Sequence, residues 1–239
     1  MMKPVHPGRV LIATPTFDKR VCTDYVISLL QTMRELASRD IVADVTFQGG
    51  DCFMDKCRNS IVQQFLEGGY GTLFFIDADQ GWEWRGFVRL LFYPQLMVGG
   101  VPPKKTDIEQ ERFSHVVLDV QENGDCYIEG GLLRVVRCGA GFLRIRREAI
   151  KKLLTIYPAQ IRPNDGGRFK EIPWLFNAGL INDDFWGEDL QFTQRWTDSG
   201  EHIWIDPCIQ FKHVGSKAWD GMYLEYLQKY ANVKVKTNE

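Results

Sequence analysis

The sequence predicts an α/β fold with a parallel N-terminal half and a mixed-sheet, loop-rich C-terminal half. Three observations predict it. Apolar runs of strand length alternate with helical periodicity through the first third of the chain. One run, Thr72–Ile76, is wholly apolar, as in a strand covered on both faces. In the second half, short strand-like runs and loops rich in Gly, Pro and Asn replace the alternation.

Val10 to Thr14 is a buried strand that breaks at Thr14-Pro15-Thr16. Val21, Tyr25, Val26, Leu29, Leu30, Met33 and Leu36 then recur at helical spacing and predict an amphipathic helix against the sheet. Ile41 to Phe47 is a second strand, closed by Gly49-Gly50. A helix from about Asp55 to Leu66 turns Ile61, Val62, Phe65 and Leu66 inward and stops at Gly68-Gly69. With Thr72–Ile76 this gives βαβαβ, the Rossmann-like pattern of a parallel α/β sheet. Met97 to Val101 is the next strand, and Pro102 to Phe113 a charged loop without periodicity. His115–Val120 and Cys126–Glu129 flank a turn at Glu122-Asn123-Gly124-Asp125 and predict a hairpin. Leu132–Cys138 is a strand and Arg147–Leu154 a helix. Tyr157–Ala178 is a long loop of the kind that serves as a functional loop or lid. Leu190–Trp196, Ile203–Ile205 and Tyr223–Tyr230 are a helix, a short strand and a terminal helix.

The 239 residues show no repeat, low-complexity tract or linker, so one domain is expected over 1–239. Apolar residues make up 44% and charged residues 25%, the mix of a soluble globular protein. A formal charge of −2 argues against gripping nucleic acid by bulk charge alone. The six cysteines show no CxxC spacing, which argues against a zinc ribbon and for reduced thiols. No signal peptide is evident, and no stretch approaches the about 20 apolar residues that span a bilayer. The expected location is cytoplasmic, or the host cytoplasm if the source is viral.

Leu73-Phe74-Phe75-Ile76-Asp77-Ala78-Asp79 places two acids where a buried strand emerges at its carboxyl end, the edge at which α/β sheets bind ligands. Paired carboxylates repel, and a divalent cation relieves the repulsion. A bare DxD also occurs in solvated turns, but the apolar strand before it favours a site. Trp186-Gly187-Glu188-Asp189 opens a helix with two acids, a pattern that the helix dipole alone also explains. His213, in Phe211-Lys212-His213-Val214-Gly215, is either an ordinary satisfied histidine or a ligand for a borderline metal such as manganese.

Taken together and in this order, the three signals resemble the GT-A glycosyltransferases. Thr14-Pro15-Thr16 is similar to their first nucleotide-contacting loop, and Cys57-Arg58-Asn59 resembles an Ala-Arg-Asn of several such families. Val98-Gly99-Gly100 leading to Pro103-Lys104-Lys105, and the Gly-rich run Cys138 to Arg147, resemble two further segments. The resemblance spans about residues 9–220. It implies a GT-A-like single domain with a donor-nucleotide half at about 9–125, an acceptor half at about 126–220, and a C-terminal helix and tail at 221–239. It implies a UDP- or GDP-sugar donor and a divalent metal, Mn²⁺ or Mg²⁺. Thr14, Pro15 and Thr16 would cradle the base, and Arg58 and Asn59 the nucleoside. Asp77, Ala78 and Asp79 would bind the donor, Asp77 through the ribose or a metal-bound water, with Asp77, Asp79 and His213 as metal ligands. Lys104, with Lys105 or Lys217, would add positive charge, unless these are solvated surface lysines. Asp189 would be the catalytic base and Glu188 would orient sugar hydroxyls; in a retaining enzyme Asp189 would instead bind the donor sugar. Trp174 and Trp186 would wall the acceptor site or fill core.

The acceptor would be a hydroxyl, on a glycan or on a hydroxylated base in phage DNA, since compact bacterial and bacteriophage members of this kind exist. Arg144, Arg146, Arg147, Lys151 and Lys152 form a local basic cluster suited to phosphates, or an ordinary solvated face. Two other classes are alternatives. One is a haloacid-dehalogenase-like phosphatase with Asp77 as nucleophile and Asp183-Asp184 as its later acidic pair. The other is a non-catalytic nucleotide-sugar-binding module. A nucleotidyltransferase would be told apart by release of pyrophosphate.

Overall fold

The computed structural model describes residues 5–49, 53–113, 115–162 and 169–230. Strands β1 (Val10–Thr16), β2 (Ala43–Gly49) and β3 (Thr72–Ile76) are parallel, with helices α1 (Thr23–Ala37) and α2 (Met54–Glu67) as their crossovers. Their side chains alternate between two cores. Val10, Ile12, Phe74 and Ile76 pack under α1 and the helix Trp84–Phe92 beside it. Leu11, Ala13, Leu73 and Phe75 pack under α2 and the C-terminal helices. Both faces are therefore covered, which is why β3 contains no polar residue beyond Thr72.

After the DxD segment comes β4 (Gln80–Trp82), then α3 (Trp84–Phe92), ended by Pro94, and β5 (Met97–Gly99). The second half supplies β6 (Val117–Leu118), β7 (Ile128–Glu129), β8 (Leu132–Arg137), β9 (Phe142–Arg146) and α4 (Arg147–Ile156). Next come two short antiparallel pairs, β10 (Gln160–Ile161) with β11 (Ile172–Pro173), and β12 (Gly179–Ile181) with β13 (Asp184–Trp186). The chain continues through α5 (Glu188–Asp198), β14 (Ile203–Ile205), β15 (Gln210–Val214), β16 (Ala218–Met222) and α6 (Tyr223–Tyr230).

The large sheet runs β2-β1-β3-β9-β5-β14-β8-β6, with β7 beside β8. Strand β9 enters antiparallel between β3 and β5, and β14 lies between β5 and β8. The predicted parallel half and mixed half are thus interleaved in one sheet. A second sheet, β16-β15-β4, stands beside it. The strand β15 matters most for the site, because its pairing of His213 with Gln80 brings His213 beside Asp79.

Two expectations need correction. Helix α1 buries Tyr25, Ser28, Thr32 and Leu36, while Val26 and Leu30 face outward. The polar pair goes inward because Trp82 needs partners: its backbone N–H donates to Ser28 Oγ (2.9 Å) and its indole N–H to Thr32 Oγ1 (3.0 Å).

The second correction concerns the basic cluster, which is not a surface patch. Arg144 is fully buried and donates to the carbonyls of Leu90, Tyr93, Gln95 and Leu96, closing the C-terminal end of α3. Arg146 donates to the carbonyls of Val5, His6, Leu91 and Tyr93. Arg147 donates to those of Phe65, Leu66 and Tyr70, at the end of α2. Lys152 pairs with Glu201 (2.6 Å). These guanidinium groups satisfy backbone acceptors and present no shared face to a phosphate chain.

Candidate functional site

The carboxyl edge of β3 opens into a cleft of about 530 Å³. Pro15, Phe17, Arg20, Met54, Arg58, Asp77, Ala78, Asp79, Glu188, Asp189 and His213 are among its lining residues. Five chain segments far apart in sequence therefore converge on it. They are the β1–α1 loop, α2, the DxD segment with the β15 hairpin facing it, and the start of α5.

Arg58 organises the floor. Its guanidinium lies over the Phe75 and Phe176 rings, at 5.1 and 5.9 Å, and reaches acids on both sides. It donates to Asp77 Oδ1 (3.0 Å), to Glu188 Oε1 (3.1 Å) and to the Ala140 carbonyl (3.4 Å). Burial disfavours its charge, but Asp77, Glu188 and Asp189 outweigh that and raise its pKa. Arg58 thus ties the first DxD acid to the Glu-Asp pair, rather than projecting freely at a nucleoside. Asn59 turns away from the cleft. Its Nδ2 donates to the Phe176 carbonyl (2.7 Å) and its Oδ1 accepts from the Leu175 and Phe176 amides. It pins the 172–177 segment to α2.

Asp79 sits between two cationic or potentially cationic groups. Its Oδ1 lies 3.2 Å from His213 Nε2, and its Oδ2 accepts from Lys105 Nζ at 2.5 Å. Burial pushes this carboxyl up, but the hydrogen bonds and charges of His213 and Lys105 outweigh it and hold the pKa at about 2. His213 Nδ1 lies 2.7 Å from the Pro103 carbonyl. A carbonyl only accepts, so Nδ1 carries the proton, and in a neutral ring the Nε2 lone pair faces the Asp79 carboxylate. Two acceptors in that relation need a proton or a cation between them. Their chemistry, one imidazole nitrogen and one carboxylate, suits Mn²⁺ or Mg²⁺ held partly by phosphate oxygens of a ligand.

The three expected ligands do not assemble as a single cluster. Among the described residues no group of three or more His, Cys, Asp or Glu side chains is placed to hold a metal. Asp79 and His213 are together, whereas Asp77 is bonded to Arg58.

Asp189 is half-buried at the start of α5, with its Oδ1 accepting from the Leu190 amide (2.7 Å). Burial, then the charge of Glu188, raises its pKa, against the opposing pull of Arg58. The remaining predicted residues are dispersed. Thr14 Oγ1 bonds the Tyr25 hydroxyl (2.5 Å) inside the core, Thr16 is buried, and Pro15 and Ala78 line the cleft. Lys104 lines a smaller cavity next door. Lys217 pairs with Asp107. Trp174 donates to Asn177 Oδ1 (3.1 Å), and Trp186 lies beneath the Arg137 guanidinium at 4.2 Å. Asp183 and Asp184 are exposed at the β12–β13 turn, with Asp183 in the left-handed region, and neither lines the cleft.

Sequence reasoning missed Phe17, an exposed ring at the cleft wall, and Arg20 beside it. An aromatic residue directly after a strand-terminating Thr-Pro-Thr was the available signal. It also missed Gln80 and His115, which no spacing rule picks out.

No protein-family model matches the chain, and comparison with curated proteins finds no match. Among solved structures, the chain is similar to GalNAc-T7 with UDP, GalNAc and Mn²⁺. That match has 13% identity and a TM-score of 0.44, and covers 92% of this chain and 48% of the other. The chain therefore spans about half the length of that protein. It is also similar to UDP-glucose pyrophosphorylase complexed with UDP-glucose, with 9% identity and a TM-score of 0.41, covering 94% and 81% of the two chains. No helix among the described residues is long and apolar enough to cross a membrane.

Proposed function

We propose that this chain is a metal-dependent glycosyltransferase that moves a sugar from a nucleoside-diphosphate sugar to a hydroxyl acceptor. One observation carries the proposal: Asp79 with His213, Asp77 with Arg58 and Glu188, and the half-buried Asp189 all converge on one cleft of about 530 Å³. That volume is in the range of small-molecule sites, and the acids divide into groups suited to different tasks. The whole chain acts as one catalytic domain, with 9–125 serving the donor, 126–220 the acceptor, and 221–239 as helix and tail.

In this scheme Pro15 and the backbone of Thr14 and Thr16 face the base, and Phe17 offers its ring for stacking. Asp77, fixed by Arg58, accepts a ribose hydroxyl. Asp79 and His213 would hold a divalent metal, which would supply positive charge to offset that of the diphosphate. Lys105, already at Asp79, and Lys104 add positive charge on the same side. Asp189 takes the proton of the acceptor hydroxyl. Its raised pKa makes it a stronger base than an ordinary carboxylate. Glu188, bound to Arg58, orients sugar hydroxyls. The acceptor is a hydroxyl of a glycan or of a hydroxylated base in phage DNA. In the second case DNA must be gripped by residues other than Arg144, Arg146 and Arg147.

The test is a thermal-shift panel of UDP-, GDP- and CMP-sugars, each with and without Mn²⁺. A ligand that binds only the folded state raises the melting temperature, by about 2.7 kcal/mol of stabilisation at a hundredfold excess over Kd. A metal-enhanced shift with one nucleotide, and release of the nucleoside diphosphate on turnover, is the expected result. No shift with any member at millimolar concentration, or release of pyrophosphate instead, overturns the proposal.

A further inference from the structure

Behind the main cleft lies a second cavity of about 160 Å³ that shares Asp77, Asp189 and His213 with it. Its other walls include Gln80, His115, Gly139 and Gly141. Two buried polar atoms on these walls have no partner: Gln80 Oε1 and His115 Nδ1. Buried polar atoms are nearly always bonded, so a pair of unbonded ones lining a single cavity points to a missing ligand.

The surrounding glycines show how tightly the pair is held. A Cβ on Gly141 would lie 2.6 Å from Asp77 Oδ2 and 2.7 Å from Gln80 Nε2. A Cβ on Gly139 would lie 3.2 Å from Asp189 Oδ2 and 3.9 Å from His115 Cδ2. Asp77 and Gln80 therefore flank one glycine, and Asp189 and His115 flank the other. Four polar side chains border a space for which the comparable yardstick is a cavity of about 150 Å³ that holds one benzene.

We propose that Gln80 and His115 select the group carried by the nucleotide, hydrogen-bonding hydroxyls of a single neutral sugar ring seated in this cavity beside Asp189. The inference rests on the nucleotide-sugar reading of the main cleft and names the residues that read the sugar. A hydroxyl suits both orphaned atoms, because it donates to an amide oxygen and either donates to or accepts from an imidazole nitrogen. An apolar ring would leave both atoms unsatisfied, and an anionic group would face the Asp77 and Asp189 carboxylates. Burial, helped by the nearby Lys104 and His213, pushes His115 down to about 4, so it meets the sugar as a neutral ring.

The test uses Gln80→Met and His115→Leu, each compared with the wild type by calorimetric titration in Mn²⁺. The probes are UDP, GDP, UDP-glucose, UDP-galactose, UDP-N-acetylglucosamine and GDP-mannose. The quantity read is the ratio of affinities between a sugar nucleotide and its bare diphosphate. The proposal expects a sugar-dependent gain in the wild type that each variant cuts about tenfold, with diphosphate affinity unchanged. The ligand-free melting temperature should hold or rise, because each substitution removes an unsatisfied buried atom. Variants that keep the full sugar gain overturn the assignment of Gln80 and His115 while leaving the proposed function standing. So does an equal loss of diphosphate affinity, which would make the two residues part of the nucleotide cleft. A wild type that binds diphosphates with no sugar gain also overturns it. A wild type that binds none of the probes overturns the nucleotide-sugar reading itself, and this inference with it.

Discussion

Replacing Arg58 with Met should destabilise the protein by about 3 kcal/mol, and the structure supplies the reasoning. The Arg58 side chain is 5% exposed, and its partners Glu188 and Asp77 are 17% and 35% exposed. Removing one member of a buried ion pair costs about 3–5 kcal/mol, because the other member is left buried and unpaired. Asp77 is open enough to regain water, so the lower end applies. Met fills much of the same space against Phe75 and Phe176, which keeps cavity formation from dominating. For a chain of this length each kcal/mol moves the melting temperature by about 2–4 °C, which predicts a fall of about 6–12 °C. Arg58→Lys should lose less, because one ammonium retains the charge but cannot fork to both acids. Urea unfolding and scanning calorimetry at pH 7 read the effect. The decisive control is the triple variant Arg58→Met, Asp77→Asn, Glu188→Gln, which removes all three charges and should recover stability relative to Arg58→Met. A single variant within 1 kcal/mol of wild type, or a triple variant no more stable than the single, would refute the idea of one charge shared between two acids.

Asp189→Asn should raise the melting temperature at pH 7 while cutting transfer by roughly a factor of 100 or more. Its folded pKa is raised above the ordinary 3.8, so the ionised form is disfavoured by folding. The stability advantage of Asn is therefore full above the raised pKa and vanishes as pH falls below 3.8, where the folded and unfolded carboxyls are both protonated. A melting temperature that drops at pH 7 would contradict this. Asp79 behaves oppositely. Its pKa is lowered to about 2, so it contributes stability above 3.8 that is lost as pH falls from there toward 2. Asp79→Asn should flatten the acid limb of the stability profile and abolish any Mn²⁺-induced shift, and an unchanged Mn²⁺ shift would remove Asp79 from the metal site. Arg144→Met should cost about 3 kcal/mol by taking the guanidinium donor from the Leu90 and Gln95 carbonyls, while Tyr93 and Leu96 keep bonds from Arg146, and a melting temperature within 2 °C of wild type would show that water replaces the guanidinium.

How much of this was legible in the sequence follows from the range over which each signal acts. The βαβαβ half was readable because periodicity is local: the residues that make β3 apolar after Thr72 and those that turn α2 inward lie within their own short segments. The DxD acids were readable because a strand end fixes them both. The polar stripe of α1 was not, since Ser28 and Thr32 are buried only to meet Trp82, about 50 residues away along the chain. His213 meets Asp79 only because β15 pairs with β4, a strand of three residues too short to announce itself.

The arginines make the same point more sharply. Arg144, Arg146, Arg147, Lys151 and Lys152 look alike in composition, and a basic run at a helix start ordinarily reads as a solvated or phosphate-facing surface. What decides the matter is where helices α2 and α3 end. Their last carbonyls are orphaned by helix geometry, and both ends lie beside β9 and the start of α4. A guanidinium has five donors in a planar fork, so a single side chain can satisfy several carbonyls converging from a helix terminus and the turn after it. An ammonium satisfies fewer and is more strongly hydrated. That difference explains why the three arginines are drawn in while the lysines stay near the surface. It also moves the search for an acceptor-binding surface away from this face and toward the cleft that Asp189 lines.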